Sequence, residues 1–185
     1  MAINIVLWII SSVVIVGILY IVLTYNVLIK LKNRIENSWA QIDVQLKRRY
    51  DLIPNLVETV KGYMKHEKTV LTEITKTRSA LIKGDLRSRA QASNQITEAL
   101  KTIFAVAENY PQLKASKNFL HLQEELSGTE SKIAYARQFY NDSVLVLNQK
   151  IQSFPSNMIA NMFGFKEKEY FEVQEAEKKL VKVKF

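Results

Sequence analysis

From Met1 to Ile29 the chain carries no side chain that is charged at neutral pH, and its first charged side chain is Lys30. Within that stretch residues 5–23 read IVLWIISSVVIVGILYIVL. About 20 apolar residues, rising ~1.5 Å each in a helix, cross the ~30 Å hydrocarbon layer of a bilayer. A cleaved secretory signal would need a basic start, a shorter apolar core and a small-x-small cleavage site. The start MAIN has no Lys or Arg, and the stretch runs on into bulky LYIVLTYNVL. A buried core helix would normally carry a polar stripe, and this stretch is apolar all round except for Ser11, Ser12 and Gly17. The segment is therefore expected to be a retained transmembrane helix in contact with the lipid bilayer. Lys30, Lys32 and Arg34 follow it and no basic side chain precedes it. The positive-inside rule then places the N-terminus outside and the C-terminal part in the cytoplasm, single-pass, at the inner (plasma) membrane. Tyr20, Tyr25 and Asn26 fall where an interfacial belt is expected, with Trp8 nearer the outer side.

The whole net charge of +8 belongs to residues 30–185. A chain of 185 residues leaves room for one compact unit and no second sizeable domain. Without cysteine there is no disulfide framework, thiolate metal site, cysteine nucleophile or lipid-modified cysteine. Five glycines are too few for phosphate-cradling loops or an all-β fold full of tight turns.

Beyond the membrane stretch, apolar residues recur at alternating spacings of three and four, and strand-like alternation is nearly absent. A first face carries Leu28, Leu31, Ile35, Trp39, Ile42 and Leu46 and continues directly from the span. The string YDLIPN predicts a stop or kink, with Asp51 as N-cap and a second helix opening at Leu52, although a kinked continuous helix also satisfies the pattern. The second segment shows Ile53, Val57, Val60, Met64, Leu71, Ile74 and Leu81 and stops at Gly84. The third carries Ser93, Ile96, Leu100, Ile103 and Ala107 and is closed by Pro111. The fourth and longest runs from Phe119 to Ile151 and ends at FPSN. Four amphipathic helices with short joints predict an all-α fold: a transmembrane helix followed by an up-and-down four-helix bundle. The divisions are an anchor at 1–29, a bundle at 30–153, and a short amphipathic segment with a charged tail at 154–185.

The strings YNVLIKLKNRIENSWAQIDVQLKRRYDLIPNLVETVKGYMKHE, YPQLKASKNFLHLQEELSGTESKIAYARQFYND and FPSNMIANMFGFKEKEYFE, in this order, resemble the LemA family of bacterial membrane proteins. The resemblance runs from about Tyr25 to Glu172. It implies an N-terminal anchor and a four-helix bundle, and it brings no reaction, cofactor or catalytic residue. The family also includes a magnetosome membrane-biogenesis protein, which implies a role in organising membranes. The sequence lacks a lipoprotein-type cysteine, so anchoring would rest on the helix alone.

Catalytic chemistry finds little to work with. A di-iron bundle requires two Glu-x-x-His pairs and two further inward Glu. The chain has two histidines, His66 and His121, and only His121 with Glu124 and Glu125 has metal-compatible spacing, once and in reversed order. A solvated helix face explains that better, and neither histidine suggests the base of a serine or threonine nucleophile. No enzyme activity, cofactor or metal is expected. The run Lys47, Arg48, Arg49 reads as the basic end of a helix near Asp43 and Asp51, and no nucleic acid is expected as partner. Tyr135, Phe139 and Tyr140 are expected in the core, with Asn141 and Asp142 making helix-to-helix hydrogen bonds, and the Thr129 hydroxyl is expected to bond back to its own helix.

The function expected is a non-enzymatic scaffold that forms a homo-oligomer and organises membrane or membrane proteins. The alternative is an accessory or regulatory subunit of a membrane-protein partner such as a protease. Lys30, Lys32 and Arg34 are expected at the anionic membrane surface. Met158, Ile159, Met162, Phe163 and Phe165, followed by Lys166 and Lys168, have the composition of an interfacial helix. A cap over the open end of the bundle core would use the same residues. Counting residues up one helix and down its neighbour also predicts an inter-helix ion pair from Arg137 to Asp43 or Glu36.

Overall fold

The computed structural model describes residues 2–64 and 67–171. These form six α-helices and one 3-10 turn, with no strand among the described residues. Helix α1 spans Ala2–Lys61, α2 Lys68–Thr77, the 3-10 turn Arg78–Leu81, α3 Leu86–Ala107, α4 Pro111–Lys114, α5 Lys117–Gln152 and α6 Ser156–Met162.

The first helix does not stop at Pro54. It runs 60 residues with the proline inside. Asp51 does not cap a new helix; its carboxylate takes the Lys47 ammonium at 2.5 Å, one turn back on the same helix. The buried spacing explains the continuity. Ile42, Leu46, Ile53, Leu56 and Val60 all lie on one covered stripe, so packing on both sides of the proline holds the helix together. The break falls instead at residues 62–64, where Tyr63 N–H and Met64 N–H both donate to Val60 C=O. The segment read as one second helix from Leu52 is then the last part of α1, followed by α2 and the 3-10 turn.

Helices α3 and α5 lie where the apolar spacing puts them. Asp85 caps α3, its Oδ1 accepting the Ser88 N–H at 2.9 Å. Gly84 just before it has φ +111°, a region L side chains rarely adopt, and an added Cβ would stand 3.2 Å from Ser88 Cβ. Pro111 opens α4 at its first turn, where its missing N–H goes unneeded.

The composition allows one compact body, whereas the structure divides into two. Met1–Ser38 with Phe139–Tyr170 forms the first unit, and Trp39–Gln138 with Phe171 belongs to the second. A helix of 60 residues is about 90 Å long, more than one small core can cover. In the first unit, residues 3–20 of α1 are exposed throughout, and burial begins at Thr24 and Leu28. In the second, Leu71, Ile74, Leu81, Ile96, Ile103, Leu113, Phe119, Leu126 and Ile133 join the α1 stripe as a buried apolar core. Tyr135 corrects the expectation that it fills the core, since it is 74% exposed, and Phe139 is also exposed; Tyr140 is buried.

Candidate functional site

Two groups of side chains stand out from ordinary helix packing, one in each unit. In the first unit the exposed apolar surface of α1 extends to Leu23, about 30 Å of helix counted from Ile3. Two residues further on, the Tyr25 ring meets Phe163 with centroids 4.7 Å apart and Phe165 at 6.0 Å. The segment after α5 is thereby held level with the end of the apolar stretch.

Local chemistry explains that placement. Helix α6 ends in a left-handed glycine: Gly164 has φ +70°, Gly164 N–H donates to Asn161 C=O, and Phe165 N–H reaches Ala160 C=O at 2.9 Å. This closing turn returns the chain so that Phe163 and Phe165 both face Tyr25. The Ser156 hydroxyl secures the other end of α6 by donating to carbonyls of Lys150 and Ser153. The extended chain beyond is fixed by Asn148, which is buried: its Nδ2 donates to Lys168 C=O and its Oδ1 accepts Lys168 N–H, both at 2.9 Å.

The site residues read from the sequence separate on this frame. Met158, Met162 and Phe163 are exposed, Phe165 is half-buried on Tyr25, and Lys30, Lys166 and Lys168 are exposed. Ile159 corrects its assignment to the membrane surface: it is only 5% exposed and packs inward with Ser156 and Ala160. Lys32 lies 3.9 Å from Glu36, and the Arg34 guanidinium sits 4.6 Å from the Phe139 ring centroid. At ~1.5 Å per residue Lys30 lies about 7 Å beyond Tyr25 along the axis and Arg34 about 13 Å. Phe154, a few residues before Met158 and Met162, is also exposed, at 80%.

In the second unit a polar seam runs through the apolar core. Arg49 has no exposed surface and pairs with Glu130 of α5. Its Nη1 donates to Ser93 C=O at 3.2 Å, Ser93 Oγ at 3.3 Å and Thr97 Oγ1 at 3.3 Å. Thr97 Oγ1 is in turn 3.0 Å from both Glu130 carboxylate oxygens. Burial, then the like charge of Arg137, pulls the Arg49 pKa down to about 9. At about 9 it still lies above neutral pH, so the guanidinium stays charged there. Lys47, Arg48 and Arg49 are thus not one basic helix end. Lys47 takes Asp51, Arg48 takes Glu125, and Arg49 is interior. The signal for Arg49 was present, since 42, 46, 49 and 53 share one helical face.

Both acids expected opposite Arg137 lie against other basic side chains: Glu36 is 3.9 Å from Lys32, and Asp43 meets Arg89. Asp43 pairs with Arg89, whose guanidinium lies 4.7 Å from the Trp39 ring and whose Nε donates to Leu81 C=O at 2.8 Å. Arg137 Nη1 donates to Asn94 Oδ1 at 3.0 Å, and its guanidinium covers Phe171 at 4.8 Å. The residue count took two helices alone; α3 supplies the partners Arg89 and Asn94. Thr129 behaves as expected, donating to Glu125 C=O at 2.8 Å. His66 lies outside the described residues, and Glu125 of the His121 group is engaged by Arg48.

An exposed apolar helix of membrane-crossing length, joined to packed helices with a fully enclosed arginine, defines an all-helical protein with an N-terminal apolar span. The LemA family pattern matches residues 38–185, and the chain belongs to the LemA family. It is 30% identical over 167 residues to Protein LemA of Metamycoplasma hominis, covering 88% of this chain and 76% of that protein. It is 25% identical over 183 residues to Magnetosome protein MamQ 2 of Paramagnetospirillum magneticum, covering 84% and 67%. Magnetosome protein MamQ of Magnetospirillum gryphiswaldense is 21% identical over 178 residues, covering 82% and 65%. The family match includes α6 and the arginine seam and begins after Lys30, Lys32 and Arg34.

Proposed function

We propose that this LemA-family chain is a non-enzymatic, single-pass membrane protein whose helices 30–153 form an up-and-down bundle at the cytoplasmic face, and that it self-assembles as a scaffold. The observation that carries the reading is the abrupt change along α1: bare apolar surface to Leu23, then burial from Thr24 and Leu28 onward within one unbroken helix. Such a helix has no reason to leave its apolar length uncovered unless lipid covers it. The cytoplasmic side is supported by Lys30, Lys32 and Arg34 directly after the span. A binding role is supported by Tyr135, Val44 and Leu120, large side chains left on the surface of the second unit. The organising role is drawn from the family resemblance, whose relatives include proteins named for the magnetosome.

Extraction in mild detergent, followed by sizing and mass identification of the eluting species, tests the scaffold. The expected result is a multimer of this chain alone. A monomer contradicts self-assembly, and a stoichiometric complex with a different membrane protein replaces it with the accessory-subunit reading.

A further inference from the structure

Helix α6 has two faces of different fate. Ser156, Ile159 and Ala160 are buried, while Met158 and Met162 are 63% and 69% exposed and are flanked by exposed Phe154 and Phe163. A segment that served only as a plug would turn its large apolar side chains inward. Here the small residues and one isoleucine face in, and two methionines and two phenylalanines face out.

The position of that outward face names its occupant. Tyr25 ties Phe163 and Phe165 to the end of the bare apolar length of α1, so the two apolar surfaces are continuous within the first unit. Lys30 follows the bare length of α1 and Lys166 and Lys168 follow Phe165 in the chain; all three are exposed, and none has an acid within ion-pair distance among the described residues. Glu167, the acid between the last two, accepts from Gln152 Nε2 at 3.0 Å. Glu169 lies next in the chain and tempers the local charge. The Asn148 clamp fixes the Lys168 backbone, so the lysine is presented from a held chain.

We propose that Phe154, Met158, Met162 and Phe163 form a second membrane contact, seated in the headgroup layer of an anionic bilayer, with Lys30, Lys166 and Lys168 directed at lipid phosphates. This rests on the membrane-anchored reading and adds a surface contact to it. Apolar side chains at the headgroup boundary gain from burial against acyl chains, and lysines beside them gain from anionic lipid. Flexible Met suits a fluid surface that offers no fixed pocket. The contact would fix the tilt and rotation of α1 where a single span alone leaves them free.

The full chain has no native cysteine, so single-cysteine variants can carry an environment-sensitive fluorophore. M158C, M162C, a control within the span, L19C, and a control in the second unit, V44C, are reconstituted into phosphatidylcholine–phosphatidylglycerol vesicles containing lipids spin-labelled at shallow or deep positions. Labels at 158 and 162 are expected to be quenched by shallow spin labels several-fold more strongly than the label at 44. Changing Lys30, Lys166 and Lys168 together to Gln is expected to weaken that quenching by a further factor of about two to ten. Iodide-accessible labels at 158 and 162 with no lipid quenching, while 19 is quenched by deep labels, overturn the proposal and leave the anchor standing. Labels shielded from iodide and lipid alike also overturn it, since protein then covers the face. If 19 is not quenched by lipid, the anchored reading itself fails.

Discussion

Arg49 and Glu130 form an ion pair between α1 and α5 in which the arginine is wholly enclosed and the glutamate keeps 35% of its side chain at the surface. The acid thus holds a charge inside an otherwise apolar stripe while itself reaching water. Arg49 Nε is also buried and has no hydrogen-bond partner among the described residues, so the cost of desolvating this group is only partly offset.

Removing one partner should therefore cost more than removing both. Glu130→Gln leaves the buried guanidinium without its carboxylate and is expected to destabilise by about 2–4 kcal/mol, below the largest losses for buried pairs because Glu130 reaches water. Arg49→Met combined with Glu130→Gln is expected to recover most of that loss. Denaturant unfolding of the three proteins measures this; equal losses in the single and double variants would show that the pair is not coupled.

Pro54 sits inside α1, where it cannot donate to the Tyr50 carbonyl and its ring crowds the preceding turn. Pro54→Ala should restore the missing bond. A gain of about 1–2 kcal/mol is expected, less than the full helix penalty because proline also restricts the unfolded chain. A loss on this substitution, read by thermal unfolding, would mean that the proline ring is needed for packing.

The cap of α3 should be visible in acid. The side chain and then the backbone N–H of Ser88 donate to the Asp85 carboxylate and hold its pKa below the ordinary value. Arg48, by hydrogen bond and charge, lowers Glu125 in the same way. Both folded pKa values lie below the unfolded ones, about 3.9 and 4.3. Their contribution is therefore present above those values and is lost as pH falls through the folded ones. Asp85→Asn and Glu125→Gln should each flatten the decline of melting temperature below about pH 4 relative to the parent chain. An unchanged acid slope in both would contradict the assignment.

Much of the helical layout could be read from residue spacing, and little of the pairing could. Residues 5–23, the α3 start after Gly84 and the long period from Phe119 to Ile151 each carry their own local signal. Pro54 misled because a proline rule is local, while the stripe from Ile42 to Val60 that overrides it is tertiary. Asp43 and Arg137 were linked by a one-dimensional count, which cannot tell that α3 places Arg89 against Asp43 and Asn94 against Arg137. Ile159 and Met158 are neighbours with identical sequence signatures for an interfacial helix. Only the packing of α6 separates the buried one from the exposed one.

The exposed apolar length of α1 with basic residues directly behind it makes orientation in the membrane the claim on which the account depends. Protease added to intact spheroplasts and, separately, to inside-out vesicles measures it, with fragments identified by mass. Residues 30–185 are expected to stay whole in spheroplasts and to be cut in inside-out vesicles. Cutting of these residues in spheroplasts, or their release from vesicles by alkaline carbonate with no protease added, would contradict the account.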